Sequence, residues 1–108
     1  MIAQQCTPQG YVRVVATTAV AQALASVIVS ATTTYVVPTQ ANLALIVVEG
    51  APVRWRDDGT APTPSTGMLI QPTLAPLEYS GNIAALSFIP AVGTTTMTVD
   101  VSLYKIAG

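Results

Sequence analysis

Apolar and polar residues alternate along much of this chain, and that period of two predicts strands rather than helices. The clearest case is residues 95–105, where Met97, Val99, Val101 and Leu103 share one face and the residues between them are mostly polar. Side chains on successive strand residues point to opposite sides. This segment is therefore expected to set one face on a core and to turn the other outward.

Similar but shorter patterns, separated by turn residues, occur through the rest of the sequence. They predict strands at residues 11–17, 27–29, 33–37, 42–49, 53–57, 68–70, 77–79 and 83–89, with a loop or short strand at 19–25. Eight prolines and seven glycines punctuate the chain, and most fall between apolar runs. The pattern predicts an all-β fold, an antiparallel β-sandwich or jelly-roll-like barrel of about eight short strands.

Residues 42–49 differ from the other predicted strands because both of their faces are apolar. Leu43, Leu45 and Val47 lie on one face, and the residues between them are apolar too. Such a strand is buried on both sides, either in the centre of a sheet or beneath a partner chain. Residues 50–52 are predicted to turn the chain back, so that 42–49 and 53–57 form a hairpin.

The chain of 108 residues has the length of a single domain. Residues 1–9 are predicted to be an N-terminal arm, because they are polar, have no period and are followed by turn residues. The arm is either frayed or adds a strand to a neighbour's sheet. Residues 10–108 are predicted to form the single β-sandwich domain.

Charge is scarce, with four basic and five acidic residues and a net charge of −1. Four scattered cations cannot form the basic face that a nucleic-acid-binding protein needs. Residues 14–48 carry no charge, but Thr, Ser and Gln interrupt them and basic flanks are missing, so no membrane helix is expected. A weakly charged, apolar-rich surface favours association, and we expect a homo-oligomer, a trimer in preference to a dimer.

The residues that most often perform chemistry are missing. The sequence contains no His, and its single Cys6 has no partner for a disulfide or a Cys-His nucleophile. No serine lies in a G-x-S-x-G turn and no glycine-rich phosphate loop is present. The chain is therefore not expected to be an enzyme or to bind a cofactor.

Residues 53–59, VRWRDDG, combine strand alternation with a turn signal. Asp57 and Asp58 are the one adjacent carboxylate pair. They either bind Ca²⁺ with Glu49 or Glu78, or they end the strand in a turn. The turn is favoured, with Asp58 capping its own backbone and Asp57 pairing with an arginine of the same segment.

The other residues of this segment alternate between two faces. Arg54 and Arg56 project together, as a surface network with the aspartates or as anchors in an interface. Trp55 lies on the opposite face, where we expect it in the core, and a sugar-binding platform is the alternative. The tyrosines do not cluster with it in the sequence.

From residue 44 onward the chain resembles a family of small virion proteins of tailed bacteriophages. The resemblance covers about the last sixty residues and is carried by 44–50 (ALIVVEG), 53–63 (VRWRDDGTAPT), 67–68 (GM), 77–83 (LEYSGNI), 85–89 (ALSFI) and 101–104 (VSLY). It implies a β-rich structural module located on the virion and assembled in the host cytoplasm.

Two roles are compatible with this resemblance. The first is a capsid cement or decoration protein on the head surface, bound to the major capsid protein across its subunit joins. The second is a tail, baseplate or fibre component involved in host attachment. A small domain without coiled-coil or collagen-like repeats favours the first. The candidate interface residues are Arg54, Arg56, Asp57, Asp58, Leu43, Leu45 and Val47.

Overall fold

The computed structural model describes residues 6–16, 20–30, 33–72, 76–91 and 96–106. These residues form ten strands and two short 3₁₀ helices, at Leu24–Ser26 and Ile83–Ala85. The strands are Cys6–Ala16 (β1), Gln22–Ala23 (β2), Ile28–Ser30 (β3), Thr33–Thr34 (β4), Leu43–Glu49 (β5), Val53–Arg56 (β6), Met68–Ile70 (β7), Leu77–Tyr79 (β8), Ser87–Pro90 (β9) and Met97–Ile106 (β10).

Eight of the strands form two antiparallel sheets that pack face to face. Sheet A has the order β1-β10-β5-β8, and sheet B has the order β2-β9-β6-β7. The short strands β3 and β4 pair as a separate ribbon. The predicted all-β class is confirmed, and of its two forms the structure is the open sandwich rather than a closed barrel.

Strand β10 is the centre of sheet A, because it pairs with β1 along one edge and with β5 along the other. Its alternation is as predicted: Met97, Val99, Val101 and Leu103 are completely buried. Val12 and Val14 of β1 and Ala44, Ile46 and Val48 of β5 bury the same side of the sheet. Sheet B closes the core from the other side with Val53 and Phe88.

The predicted hairpin between residues 42–49 and 53–57 is wrong. Strand β5 belongs to sheet A, whereas β6 belongs to sheet B between β7 and β9. A strand has two edges, and those of β5 are already paired with β10 and β8. The chain therefore crosses between the layers at residues 50–52, where Ala51 is buried and the Pro52 carbonyl accepts a hydrogen bond from Ala91 N at 2.9 Å.

Residues 77–79 and 83–89, predicted as consecutive strands, do not pair with each other either, for a related reason. Strand β8 lies in sheet A and β9 in sheet B. The connection contains the second 3₁₀ helix, whose Ile83 enters the core. The Leu86 carbonyl after this helix accepts a hydrogen bond from Leu24 N at 2.8 Å, which joins the two 3₁₀ helices across the end of the sandwich.

Part of the predicted arm is a strand in the structure. Residues 6–9, assigned to the arm, belong to β1, where Cys6 is opposite Ile106 and Thr7 is opposite Lys105. A register shift between Pro8 and Gly10 separates this part from the rest of the strand. Residues 1–5 of the predicted arm lie outside the described residues.

The crossing between the sheets gives a testable prediction about two glycines. Gly50 and Gly59 have similar positive φ angles, 87° and 84°. An alanine at either position should cost about 1–2 kcal/mol, because a side chain disfavours this conformation. At Gly50 the new Cβ would also lie 3.0 Å from the Thr96 carbonyl oxygen, whereas at Gly59 no atom of the described residues, other than its chain neighbours, would lie within 4 Å of it.

We therefore expect Gly50→Ala to lower the free energy of unfolding more than Gly59→Ala. Urea denaturation followed by circular dichroism measures both. Equal losses of unfolding free energy in the two variants would show that the Thr96 carbonyl does not restrict a side chain at Gly50.

Candidate functional site

The outer face of sheet A is open to solvent and mixes apolar with polar side chains. Its apolar part contains Leu43, Leu45 and Val47, three of the predicted interface residues. Val47 is 37% exposed, and Leu43 and Leu45 are half-buried. Tyr11 and Val15 extend this part across β1, with exposures of 57% and 50%. The expected burial of β5 on both sides thus holds for one face, and the second face stays partly exposed to solvent.

The charged side chains on this face pair with one another. Arg13 lies opposite Asp100 in the register and donates from Nε to its carboxylate at 2.8 Å, and its Nη2 lies 3.7 Å from Glu49. Tyr11 donates a hydrogen bond to the same Asp100 oxygen. Hydrogen bonding to Asp100 raises the pKa of Glu49. Although burial acts in the opposite direction, hydrogen bonds from Tyr11, Glu49 and Arg13 lower the pKa of Asp100.

Part of the outer face of sheet B lies under the chain's own loop, residues 57–67, while Leu69 on the same face stays 44% exposed. Arg54 holds this loop: its Nε donates to the Pro64 carbonyl at 2.9 Å and its Nη1 to the Gly67 carbonyl at 3.0 Å. Within the loop, Thr63 and Thr66 exchange two backbone hydrogen bonds around a two-residue turn. Arg54 is thus a loop clamp, and its predicted pairing with an aspartate is wrong.

Arg56 and Asp58 form the ion pair at the end of β6. Nε of Arg56 donates to Asp58 Oδ1 at 3.1 Å, and Nη2 donates to Oδ2. Asp58 Oδ1 also accepts a hydrogen bond from Thr60 N at 3.2 Å, which is the predicted turn cap. The hydrogen bonds from Arg56 and Thr60 lower the pKa of Asp58, so it is ionised at neutral pH.

Asp57 has a partner that sequence reasoning did not find. Its Oδ2 accepts a hydrogen bond from the hydroxyl of Tyr79, in β8 of the other sheet. Burial, together with this bond, raises the pKa of Tyr79 to about 12, so the hydroxyl keeps its proton and acts as a donor. The predicted pairing of Asp57 with Arg54 or Arg56 is therefore wrong.

Trp55 connects the two sheets at the same end of the sandwich. Its ring packs edge-to-face against Tyr79, with centroids 5.4 Å apart and an interplanar angle of 74°. It lies against the core but remains half-buried rather than fully enclosed. The expectation that Trp55 belongs to the core is met only in part, because the rest of its ring borders open space.

The exposed part of Trp55 lines two adjacent cavities. The larger, about 530 Å³, is lined by Trp55 and Met68 and by the polar residues Arg56, Asp57, Asp58 and Thr66. The smaller, about 400 Å³, lies between the edge strands β7 and β8 and is mostly apolar. One tryptophan thus lines two neighbouring cavities, and the larger one has Arg56, Asp57 and Asp58 among its lining residues.

The seven predicted interface residues do not form one surface. Leu43, Leu45 and Val47 lie on the outer face of sheet A, whereas Arg54, Arg56, Asp57 and Asp58 belong to sheet B and the turn that follows it. Sequence reasoning missed the Arg13–Asp100 pair because its members are far apart in the chain. The alternation of β1 and β10 placed each on an outward face, but only the register brings them together.

The carboxylates named for a possible Ca²⁺ site are separated in the fold. Glu49 lies on sheet A beside Arg13, and Asp58 is bonded to Arg56. Across the described ranges, no three His, Cys, Asp or Glu side chains come together as a metal site would require. The same ranges contain no helix of sufficient length and apolarity to span a membrane.

Comparisons of the chain with models of protein families, with curated protein sequences and with solved structures gave no match. Its function therefore has to be inferred from its own residues and contacts.

The contacts of the two neighbouring residues Trp55 and Asp58 predict different effects of truncation. Truncating a buried aromatic side chain to alanine lowers the free energy of unfolding by about 3–5 kcal/mol. Because Trp55 is half-buried, we expect Trp55→Ala to cost about 3 kcal/mol, at the low end of that range. Asp58→Ala removes an exposed ion pair and a turn cap, and it should shift the urea midpoint much less.

The same denaturation curves, measured with and without EDTA, test the turn against the metal site. We expect EDTA to leave the wild-type midpoint unchanged. If Asp58→Ala unfolds the protein and EDTA does the same to the wild type, the turn is a metal site and the assigned roles are wrong.

Proposed function

We propose that this protein is a structural component of a tailed-bacteriophage virion, a cement protein that stabilises the head. In this role it binds the major capsid protein across the joins between subunits and performs no chemistry. The resemblance of residues 44–104 to small phage virion proteins supports the class. The exposed outer face of sheet A supports the mode of action, and it is the observation that carries the proposal.

The two sheets differ in a way that singles out this face. Loop 57–67 lies over the outer face of sheet B, and its position is fixed by Arg54. On sheet A, Tyr11, Val15 and Val47 stay exposed beside charged side chains that are paired with one another. Apolar side chains with satisfied polar groups around them are the composition of a protein–protein contact, in which desolvating an unpaired charge would be costly.

A protein that binds only the assembled shell stabilises it by mass action. Such binding shifts the equilibrium toward the assembled state by RT ln(1 + [L]/Kd) for each independent site. The bound copies must be released before the capsid subunits separate. A rigid sandwich suits this role because little conformational freedom is lost when it binds.

A second role, in a tail, baseplate or fibre that attaches to the host, is favoured by one observation. The cavity beside Trp55 combines a half-buried aromatic ring with polar side chains. Such a combination suits the recognition of a polymer on the host surface, which the cement role does not use. The particle experiment below separates the two roles.

In the free protein the same face of sheet A is available for self-association, with a trimer favoured over a dimer, and capsid binding would replace that contact. We expect wild-type protein to sediment as an oligomer at micromolar concentration. Val47→Lys should shift it toward the monomer, because it places an ammonium group in the apolar part of the face. Asp100 lies opposite Val47, so the new lysine has a carboxylate nearby and the fold should be retained. A wild-type monomer would contradict the prediction.

The matched control for this variant is Val36→Lys. Val36 is 79% exposed and lies outside the three sheets, so the same substitution should leave the sedimentation of the protein unchanged. Equal effects of the two lysines would show that the face of sheet A is not the contact.

The cement role predicts the behaviour of particles that lack this protein. Such particles should lose their DNA at a lower temperature or a milder osmotic shock than complete ones. Purified wild-type protein and Val36→Lys should restore resistance when added back, and Val47→Lys should restore it poorly. DNA release into a nuclease-accessible form provides the measurement. Particles that keep their DNA but fail to adsorb to cells would place the protein in host attachment instead.

A further inference from the structure

We propose that the cavity beside Trp55 is a binding site for a neutral oligosaccharide. This site goes beyond the cement function and does not depend on it. It is built by sheet B and loop 57–67, so it is not part of the outer face of sheet A. Its volume of about 530 Å³ falls within the range of small-molecule sites, about 300–1,000 Å³.

The apolar part of the site consists of Trp55 and Met68. These residues lie directly opposite each other on β6 and β7, so their side chains project from the same side of the sheet. Met68 is 61% exposed, and Trp55 is held in place by the ring of Tyr79. One face of a pyranose ring presents C–H groups, whose positive edges are attracted to the negative face of an indole.

The polar part of the site is the ion pair of Arg56 and Asp58. The pair uses Nε and Nη2 of the guanidinium, and among the described residues Nη1 makes no hydrogen bond, which leaves two N–H donors. The carboxylate oxygens of Asp58 have further lone pairs, which can accept hydrogen bonds from a ligand. Neighbouring sugar hydroxyls can donate to the carboxylate and accept from the guanidinium, so the pair matches a vicinal diol.

These polar groups are fixed before a ligand arrives. Thr60 N binds Asp58, and the Tyr79 hydroxyl binds Asp57. The ligand therefore does not have to order them, and the entropy cost of binding is reduced. Pre-organisation matters for saccharides because each hydroxyl bound by the protein must first give up its bonds to water.

The charge of the site selects among saccharides. Arg56 contributes one positive charge against two negative charges from Asp57 and Asp58, so the lining carries a net negative charge. An acidic sugar or a phosphate-bearing polymer would be repelled by the unmatched carboxylate. The ligand class with the required hydroxyls and no negative charge is the neutral oligosaccharide.

Trp55 is the only tryptophan in the chain, so intrinsic fluorescence reports directly on this site. The probes are hexasaccharides of glucose with α-1,4, β-1,4 or β-1,3 links, a mannose hexasaccharide, and oligogalacturonate of the same length as the anionic control. We expect at least one neutral probe to give a saturable change in emission in the millimolar range. Oligogalacturonate should give none.

Two variants in the site and one outside it test the assignment. Met68→Ala removes half of the apolar platform, and Asp58→Asn removes the ionised acceptor. Each should weaken binding of the responding probe at least tenfold. Val36→Ala truncates another exposed apolar residue and should bind as the wild type does. All three positions are exposed, so the folded state is expected to persist, which circular dichroism verifies.

Three results would overturn the proposal. The first is the lack of a saturable change with every neutral probe up to tens of millimolar, and the second is unaltered binding by both site variants. The third is an emission change that follows protein concentration and is insensitive to sugar, which would assign the cavity to a second copy of the chain. Failure of the cement function leaves all three readouts unaffected, because none of them involves a virus particle.

Discussion

The stripe of apolar side chains on one face of β10 is the constraint on which the rest of the structure depends. Met97, Val99, Val101 and Leu103 fill the middle of the core, and β10 is hydrogen-bonded along both edges. The side-chain period of a strand is two, so a slip of one residue would put Asp100 in the core. Burial of this stripe therefore also fixes which residues of β1 and β5 point outward.

The same register creates the surface that we assign to partners. It sets Asp100 between Arg13 and Val47, so that the arginine and the carboxylate pair beside apolar residues. On the opposite layer, Arg54 uses its guanidinium to hold loop 57–67 in place. The loop thus covers part of the outer face of sheet B, although Leu69 there stays 44% exposed. The outer face of sheet A is the surface that we assign to a protein partner, and Trp55 belongs to the other sheet.

Much of the fold could be predicted from local patterns, because a strand that is buried on one side has alternating apolar and polar residues in its sequence. Strand β10 and the buried face of β5 follow from alternation alone. This alternation does not show which strand pairs with which. The turn at residues 50–52 is short enough for a hairpin. The chain crosses to sheet B instead because both edges of β5 are already paired, one with β10 and the other with β8.

The candidate site was predictable to a smaller extent. The turn cap of Asp58 followed from its position after a strand, since the interaction is with the adjacent backbone. The partner of Asp57 is Tyr79, and those of Arg54 are carbonyl groups of a loop whose path has no sequence signal. Such contacts arise from the packing of two layers, and a pattern within one strand carries no information about them.

Cryo-electron microscopy of the complete virus particle tests the central claim most directly, because it shows both the location and the orientation of the subunit. Our account predicts density for the sandwich on the outside of the head, over the joins between major capsid subunits. In that density sheet A should face the shell, and Trp55 should be clear of the contact. Density confined to the tail, or a head-bound subunit with the outer face of sheet A turned to solvent, would contradict it.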